Sequence, residues 1–156
     1  GRPKPVLATP GHYVDLNISE DGKMLVFSKL SGSALTNPHW GSNPGIYTYT
    51  LGEDHTEFVS ERGRSPHFGP NKRIFATERM RTATGRGSDD AATDLISMTL
   101  DGKAIRTHAT SPLATVIQIS PTGSHVAYRE AGRLYAAALP ATGRSVTLSS
   151  VADIDS

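Results

Sequence analysis

The stretch that decides the fold is Ile18–Phe27, ISEDGKMLVF, which sets one apolar residue, a four-residue turn and an apolar run in series. It returns in altered form as Phe68–Ala76, FGPNKRIFA, and as Ile119–Tyr128, ISPTGSHVAY. Ser19, Gly69 and Ser120 hold equivalent places, 50 and 51 residues apart, a period at which propellers and solenoids come into question. The turn explains its own residues. Asp21-Gly22 supplies the positive-φ positions of a tight hairpin, Pro121 and Thr122-Gly123 serve the same end, and Gly69-Pro70-Asn71 is a version one residue shorter. Structural need accounts for the motif, so no chemistry is assigned to it.

Working outward, each phrase is followed by a second apolar run: GIYTYTL at 45–51, TDLISMTL at 93–100 and GRLYAAAL at 132–139. A turn (GEDH, DGK, PATG) and a weaker strand (TEFVS, AIRTHA, SVTLS) complete each unit. Four strands per unit are expected: Tyr13–Ile18, Lys23–Lys29, Ile46–Leu51 and Thr56–Ser60; Ser65–Phe68, Arg73–Met80, Thr93–Leu100 and Ile105–Ala109; Thr115–Ile119, His125–Glu130, Leu134–Leu139 and Ser145–Leu148. A four-stranded meander repeated at this period is a propeller blade. The best helical rival, LYAAAL at 134–139, has helix-favouring alanines but is short and sits between Gly132 and Pro140, so it reads as a strand.

The expected fold class is therefore all-β: a partial β-propeller of about three four-stranded antiparallel blades, completed by residues outside this chain. Residues 1–12 form an N-terminal extension, 13–60 the first blade, 61–109 the second, 110–150 the third, and 151–156 a tail leading toward a missing blade. A closed ring needs at least about four blades. Three would leave two flat faces and their strand edges open, which a soluble monomer avoids.

Composition narrows the function classes. At 156 residues the chain suffices for one domain. Sixteen Lys and Arg balance fifteen Asp and Glu, which removes the electrostatic case for a nucleic-acid or anionic-membrane partner. With no cysteine there is no disulfide framework, thiol nucleophile or Cys-based metal site. No run approaches the roughly 20 apolar residues of a membrane helix, and the start, GRPKPVLATPG, has no apolar signal-peptide core. The six histidines, His12, His39, His55, His67, His108 and His125, form no H-x-H or H-E-x-x-H, and no G-x-S-x-G occurs. Zincin and serine-hydrolase motifs are thus missing from these residues.

ISEDGKMLVF followed by GIYTYTL resembles the TolB-like propeller repeat, with its S-P-D-G-K turn, I-A-F strand and I-Y strand; ISPTGSHVAY followed by GRLYAAAL is similar to it as well. Glu20 replaces the usual Pro, and the second copy lacks the Asp-Gly pair. HYVDLNISEDGKMLVF, NPHWGSNPGIY, SERGRSPHFG and PATGRSVTLSS together resemble the amino-terminal propeller of bacterial TolB-like amidohydrolases. That resemblance implies a non-catalytic propeller segment of an exported enzyme, periplasmic or secreted, which supports the catalytic domain and limits substrate access. No cofactor is expected in this chain; a divalent, zinc-type metal would sit in the parent's catalytic domain. The implied partners are the rest of the propeller and that domain, in the same parent protein or a second chain. Two alternatives remain: a TolB-like protein-interaction module, and the gating propeller of a prolyl oligopeptidase-type serine peptidase.

Long loops concentrate binding functions. The first, Leu30 to Gly45, holds His39 and the only tryptophan, Trp40, which would anchor a ligand or domain or else pack its own loop. The second, Arg81 to Ala92, with the stretch RTATGRGSDDAATD, carries Arg81, Arg86, Asp89, Asp90 and Asp94 and reads as a solvated loop, lacking the regular alternation and terminal Glu of a calcium loop. Arg62 and Arg64 lie in the blade connection at the same end, which suits a carboxylate-bearing substrate or a salt-bridged interface. Asn17-Ile18-Ser19 matches a glycosylation sequon, but an inner strand would hide it.

Overall fold

The computed structural model describes residues 2–3, 5–7, 11–30, 43–53, 55–81, 91–140 and 145–148. It is all-β, and the described residues form twelve strands in three sheets. Sheet 1 is the meander β1 (His12–Ile18), β2 (Met24–Leu30), β3 (Gly45–Thr50) and β4 (His55–Ser60), paired in that order. Sheet 2 begins with β5 (Arg64–Phe68), β6 (Ile74–Arg81), β7 (Ala91–Met98) and β8 (Arg106–Ser111); sheet 3 is β9 (Ala114–Ile119), β10 (His125–Glu130) and β11 (Arg133–Ala138). Strand ends differ from the sequence-based limits by one or two residues, the usual width of such boundaries.

One expectation is corrected. The last strand, β12 (Val146–Thr147), does not finish the third meander but runs parallel to β8, with Val146 opposite Ala109 and Thr147 opposite Thr110, so sheet 2 has five strands and sheet 3 has three. The reason is burial. Leu148 is 5% exposed among Leu95, Ala109 and Ile117, and its N–H reaches the Thr110 carbonyl at 2.7 Å. The crevice between sheets 2 and 3 thus offers an apolar seat and an open strand edge together.

The turns follow their chemistry. In the first, Ser19 and Gly22 close the loop through backbone bonds, Gly22 has φ +72°, and Asp21 accepts from the Ser19 hydroxyl and the Lys23 N–H. Thr99, Asp101, Gly102 and Lys103 repeat that arrangement between β7 and β8, with Gly102 at φ +79°. At Pro70–Lys72 a short 3-10 turn takes over, and Asn71 and Lys72 occupy the left-handed region at φ 61° and 56° without a glycine. In the third turn Gly123 has φ +78° and its α-carbon faces Pro70, so the second and third turns touch.

Two apolar layers hold the sheets face to face. Val26, Ile46 and Val59 of sheet 1 pack on Ile74, Ala76, Ile96 and Met98 of sheet 2. Phe75 and Leu95, from the other face of the same strands, pack on Ile117, Ile119, Val126 and Tyr128 of sheet 3. Because side chains alternate along a strand, β6 and β7 fill both layers through consecutive apolar residues, Ile74, Phe75 and Ala76 on β6 and Leu95 and Ile96 on β7.

Side chains also cross between sheets. Asn17 Oδ1 accepts the Phe68 N–H at 3.1 Å, and His67 Nε2 accepts the Ile119 N–H at 3.0 Å. Asn17 and His67 are equivalent in the repeat, as are Phe68 and Ile119, so one clasp recurs at both junctions. Asn17 is therefore engaged within the fold. A second clasp joins Thr77 to Ile117: the Thr77 hydroxyl donates to the carbonyl at 3.0 Å and accepts from the N–H at 3.1 Å.

The far faces of sheets 1 and 3 have no covering sheet among the described residues. Leu16 and Ile18 are 69% and 55% exposed, whereas their equivalents Ile117 and Ile119, which meet sheet 2, are 0% and 8% exposed. Leu134 on sheet 3 is 82% exposed.

Candidate functional site

The innermost strands β1, β5 and β9 converge on a cavity of about 300 Å³ lined by Asp15, Arg64, Ser65, Arg79, Thr115 and Arg129, among others. A β-bulge in β1, between Val14 and Asn17, and another in β5, between Arg64 and His67, shape it. Equivalent residues at these bulges, Asp15 and Ser65, have φ 56° and 52°. Bulges re-aim side chains, and here they turn Asp15 and Ser65 toward the inner cavity. A wider cleft of about 1000 Å³ continues from Asp15 and Arg64 along sheet 1, past Lys29, Asn43, Tyr47 and Phe58. Tyr47 and Phe58 belong there to an aromatic row across sheet 1: Tyr13 meets Phe27 edge-on at 5.5 Å, Phe27 stacks on Tyr47 at 6.1 Å, and Tyr47 meets Phe58 edge-on at 5.3 Å.

Cations dominate the inner cavity. Arg64 and Arg79 form no ion pair among the described residues, while Arg129 donates through Nε to the Thr115 hydroxyl at 3.1 Å. Three guanidinia against one carboxylate, Asp15, favour an anionic guest, and planar guanidinium groups bind carboxylate or phosphate oxygens in pairs.

The sequence-derived candidates divide. Arg64 lines both the cavity and the cleft. Arg62 is spent elsewhere: its Nε and Nη2 clamp the Glu78 carboxylate at 2.8 and 2.6 Å, which also raises the arginine's pKa. Arg81 ends β6, and its side chain lies outside the described residues, as do His39 and Trp40. Asp21, Gly22, Pro70, Asn71, Pro121 and Gly123 occupy turns, away from the cavity. Sequence reading missed Arg79 and Arg129, which stand among other charged residues in the polar second halves of β6 and β10 and carry no signal that separates them from those neighbours.

One contact imitates catalytic machinery. Ser97 Oγ lies 2.6 Å from His108 Nε2, and Arg73 Nε donates to the same hydroxyl at 2.8 Å. Ser97 is wholly buried, so no substrate carbonyl can reach it. Burial first, then Arg73 and Arg106, lower the His108 pKa. The cluster fastens the turn before β6 to β7 and β8. Among the described residues no group of three or more His, Asp or Glu converges as a metal site, and no helix is long and apolar enough to cross a membrane.

Three sheets packed face to face around converging inner strands define a partial β-propeller of TolB-like fold. One solved protein that it is similar to is TolB from Acinetobacter baumannii, whose crystal structure superposes with a TM-score of 0.59 over 86% of this chain at 14% identity. The chain spans 32% of the length of that structure. No protein-family model and no curated protein matches the sequence.

Proposed function

We propose that this chain is a non-catalytic propeller segment of an exported, metal-dependent amidohydrolase, periplasmic or secreted, which supports the catalytic domain and limits access to it. The observation that carries this reading is the inner cavity, which Arg64, Arg79 and Arg129 line together with Asp15. Such a passage selects and orients a carboxylate-bearing substrate and leaves the chemistry to another domain. The resemblance of HYVDLNISEDGKMLVF and SERGRSPHFG to amidohydrolase propellers points the same way. The metal, of zinc type, belongs to the catalytic domain. Remaining blades come from the same parent protein or a second chain.

The test is the parent reading frame and its product. An H-x-H-bearing metal domain following this region, with chelator-sensitive amide hydrolysis by the purified protein, is the expected result. A different catalytic module, or none, removes the hydrolase reading.

The likeness in fold to TolB favours a second reading, a protein-interaction module. It requires a partner protein bound at the arginine-lined end, and no hydrolase encoded beside it.

A further inference from the structure

The inner cavity holds charges of both signs that do not neutralise one another. Asp15, Arg64, Arg79 and Arg129 all line it, yet among the described residues Asp15 forms no ion pair with any of the three arginines. The side chains of Asp15, Arg64 and Arg79 make no hydrogen bond there either, and Arg129 spends only its Nε, on the Thr115 hydroxyl. All four residues are exposed, so a guest can reach them. A surface ion-pair cluster would instead have closed these charges on each other.

The backbone is shaped for this arrangement. Each of the three inner strands carries a bulge: Asp15 lies in that of β1, Ser65 in that of β5, and Thr115 in that of β9, where the register shifts opposite Arg129 and Glu130. Asp15 and Ser65 stand in the left-handed region at φ 56° and 52°, a cost that a residue other than glycine bears only where its surroundings fix it. Arg79 and Arg129 come from β6 and β10, the strands paired with β5 and β9. All three sheets therefore contribute to the cavity.

A volume of about 300 Å³ is at the lower end of the range for small-molecule sites. Guanidinium forks pair with carboxylate oxygens, and a guest with a single carboxylate leaves part of that donor set unmatched. A plain dicarboxylate uses more of it but sets its negative charge against Asp15, a like-charge contact that costs affinity. An ammonium beside two carboxylates satisfies both signs. We propose that the inner cavity binds an amino-dicarboxylate of the glutamate or aspartate type, its ammonium on Asp15 and its carboxylates on the arginines. Asp15 is then the selector, turning away dianions that carry no amine. This assignment rests on the reading of the cavity as a passage for carboxylate-bearing substrates and names the guest.

The test is isothermal titration calorimetry of the parent protein, with its remaining blades, against glutamate, glutarate and inorganic phosphate. Glutamate is expected to bind about tenfold more tightly than glutarate, the worth of one charge-assisted contact, and more tightly than phosphate. Asp15→Asn, a residue that tolerates the left-handed backbone, removes the preference by weakening glutamate and sparing glutarate. Arg79→Gln weakens both about tenfold. Far-UV circular dichroism confirms that each variant keeps its sheets. Glutarate or phosphate bound as tightly as glutamate, a preference that survives Asp15→Asn, or no glutamate binding at about 1 mM would each overturn the proposal. The two readings fail separately: a parent frame without a metal domain removes the hydrolase and leaves the titration result standing, whereas amide hydrolysis without glutamate binding removes the guest and leaves the hydrolase.

Discussion

His67 Nε2 accepts the Ile119 N–H at 3.0 Å while its Nδ1 donates to the Ser65 carbonyl at 2.9 Å. The bond at Nε2 requires the neutral ring, whereas the one at Nδ1 survives protonation, and His67 is only 5% exposed. Burial pushes its pKa below the usual 6.5, against a smaller upward pull from the Ser65 carbonyl. Above 6.5 the histidine is neutral in both the folded and unfolded states, and its contribution is fully present. As pH falls below that value the unfolded chain takes up the proton first, so stability declines until the folded pKa is passed. His108, lowered for similar reasons, adds to the decline. Denaturant midpoints are expected to fall between pH 7 and about pH 5. His67→Gln costs about 1 kcal/mol at neutral pH and flattens that fall; a slope unchanged by the substitution would refute the assignment.

Thr77 and Ser28 are equivalent in the repeat but do not contribute equally. Thr77 makes two bonds to Ile117, whereas the Ser28 hydroxyl is buried with no partner among the described residues. The residue equivalent to Ile117 in sheet 2 is Pro66, which has no N–H to give. Urea unfolding should therefore show Thr77→Val destabilised by about 2 kcal/mol and Ser28→Ala neutral or slightly stabilised. Equal losses at both positions would contradict the clasp.

Arg62→Ala removes both bonds to Glu78, whose carboxylate is only 12% exposed while the arginine side chain is 46% exposed. The expected loss is about 1 kcal/mol, since solvent screens the arginine, with Arg62→Lys recovering only part because it cannot span both oxygens. Thermal unfolding at low and high salt separates the two components. A full recovery by lysine would show that charge alone matters.

Gly22 and Gly102 sit in matching Asp-Gly-Lys turns, yet their surroundings differ. A Cβ on Gly22 meets nothing within 4 Å, while one on Gly102 would lie 1.9 Å from the Val59 carbonyl oxygen. Gly22→Ala therefore costs about 1 kcal/mol of backbone strain. Gly102→Ala costs more than about 2 kcal/mol, because the β7–β8 turn must leave β4. Comparable melting temperatures for the two variants would disprove that contact.

All twelve strands were legible because the repeat states its period and local turn chemistry marks most boundaries. The pairing of β12 was not: two residues carry no periodicity, and their partner, β8, is set by a buried Leu148 some forty residues away in the chain. In the site, Arg64 was legible as one of a charged pair in a blade connection, but nothing local separates it from Arg62. The distinction lies with Glu78, sixteen residues on, which reaches only one of them. Arg79 and Arg129 reach the cavity through the convergence of three strands, a non-local fact that strand patterning does not encode.

The return of β12 to β8 gives sheet 3 two attachments rather than one. The chain leaves sheet 2 at Ser111, builds sheet 3, and comes back to fasten itself beside Ala109 and Thr110. A cut at the exposed Leu113 would therefore sever the covalent path and leave sheet 3 still stitched in place at its far end.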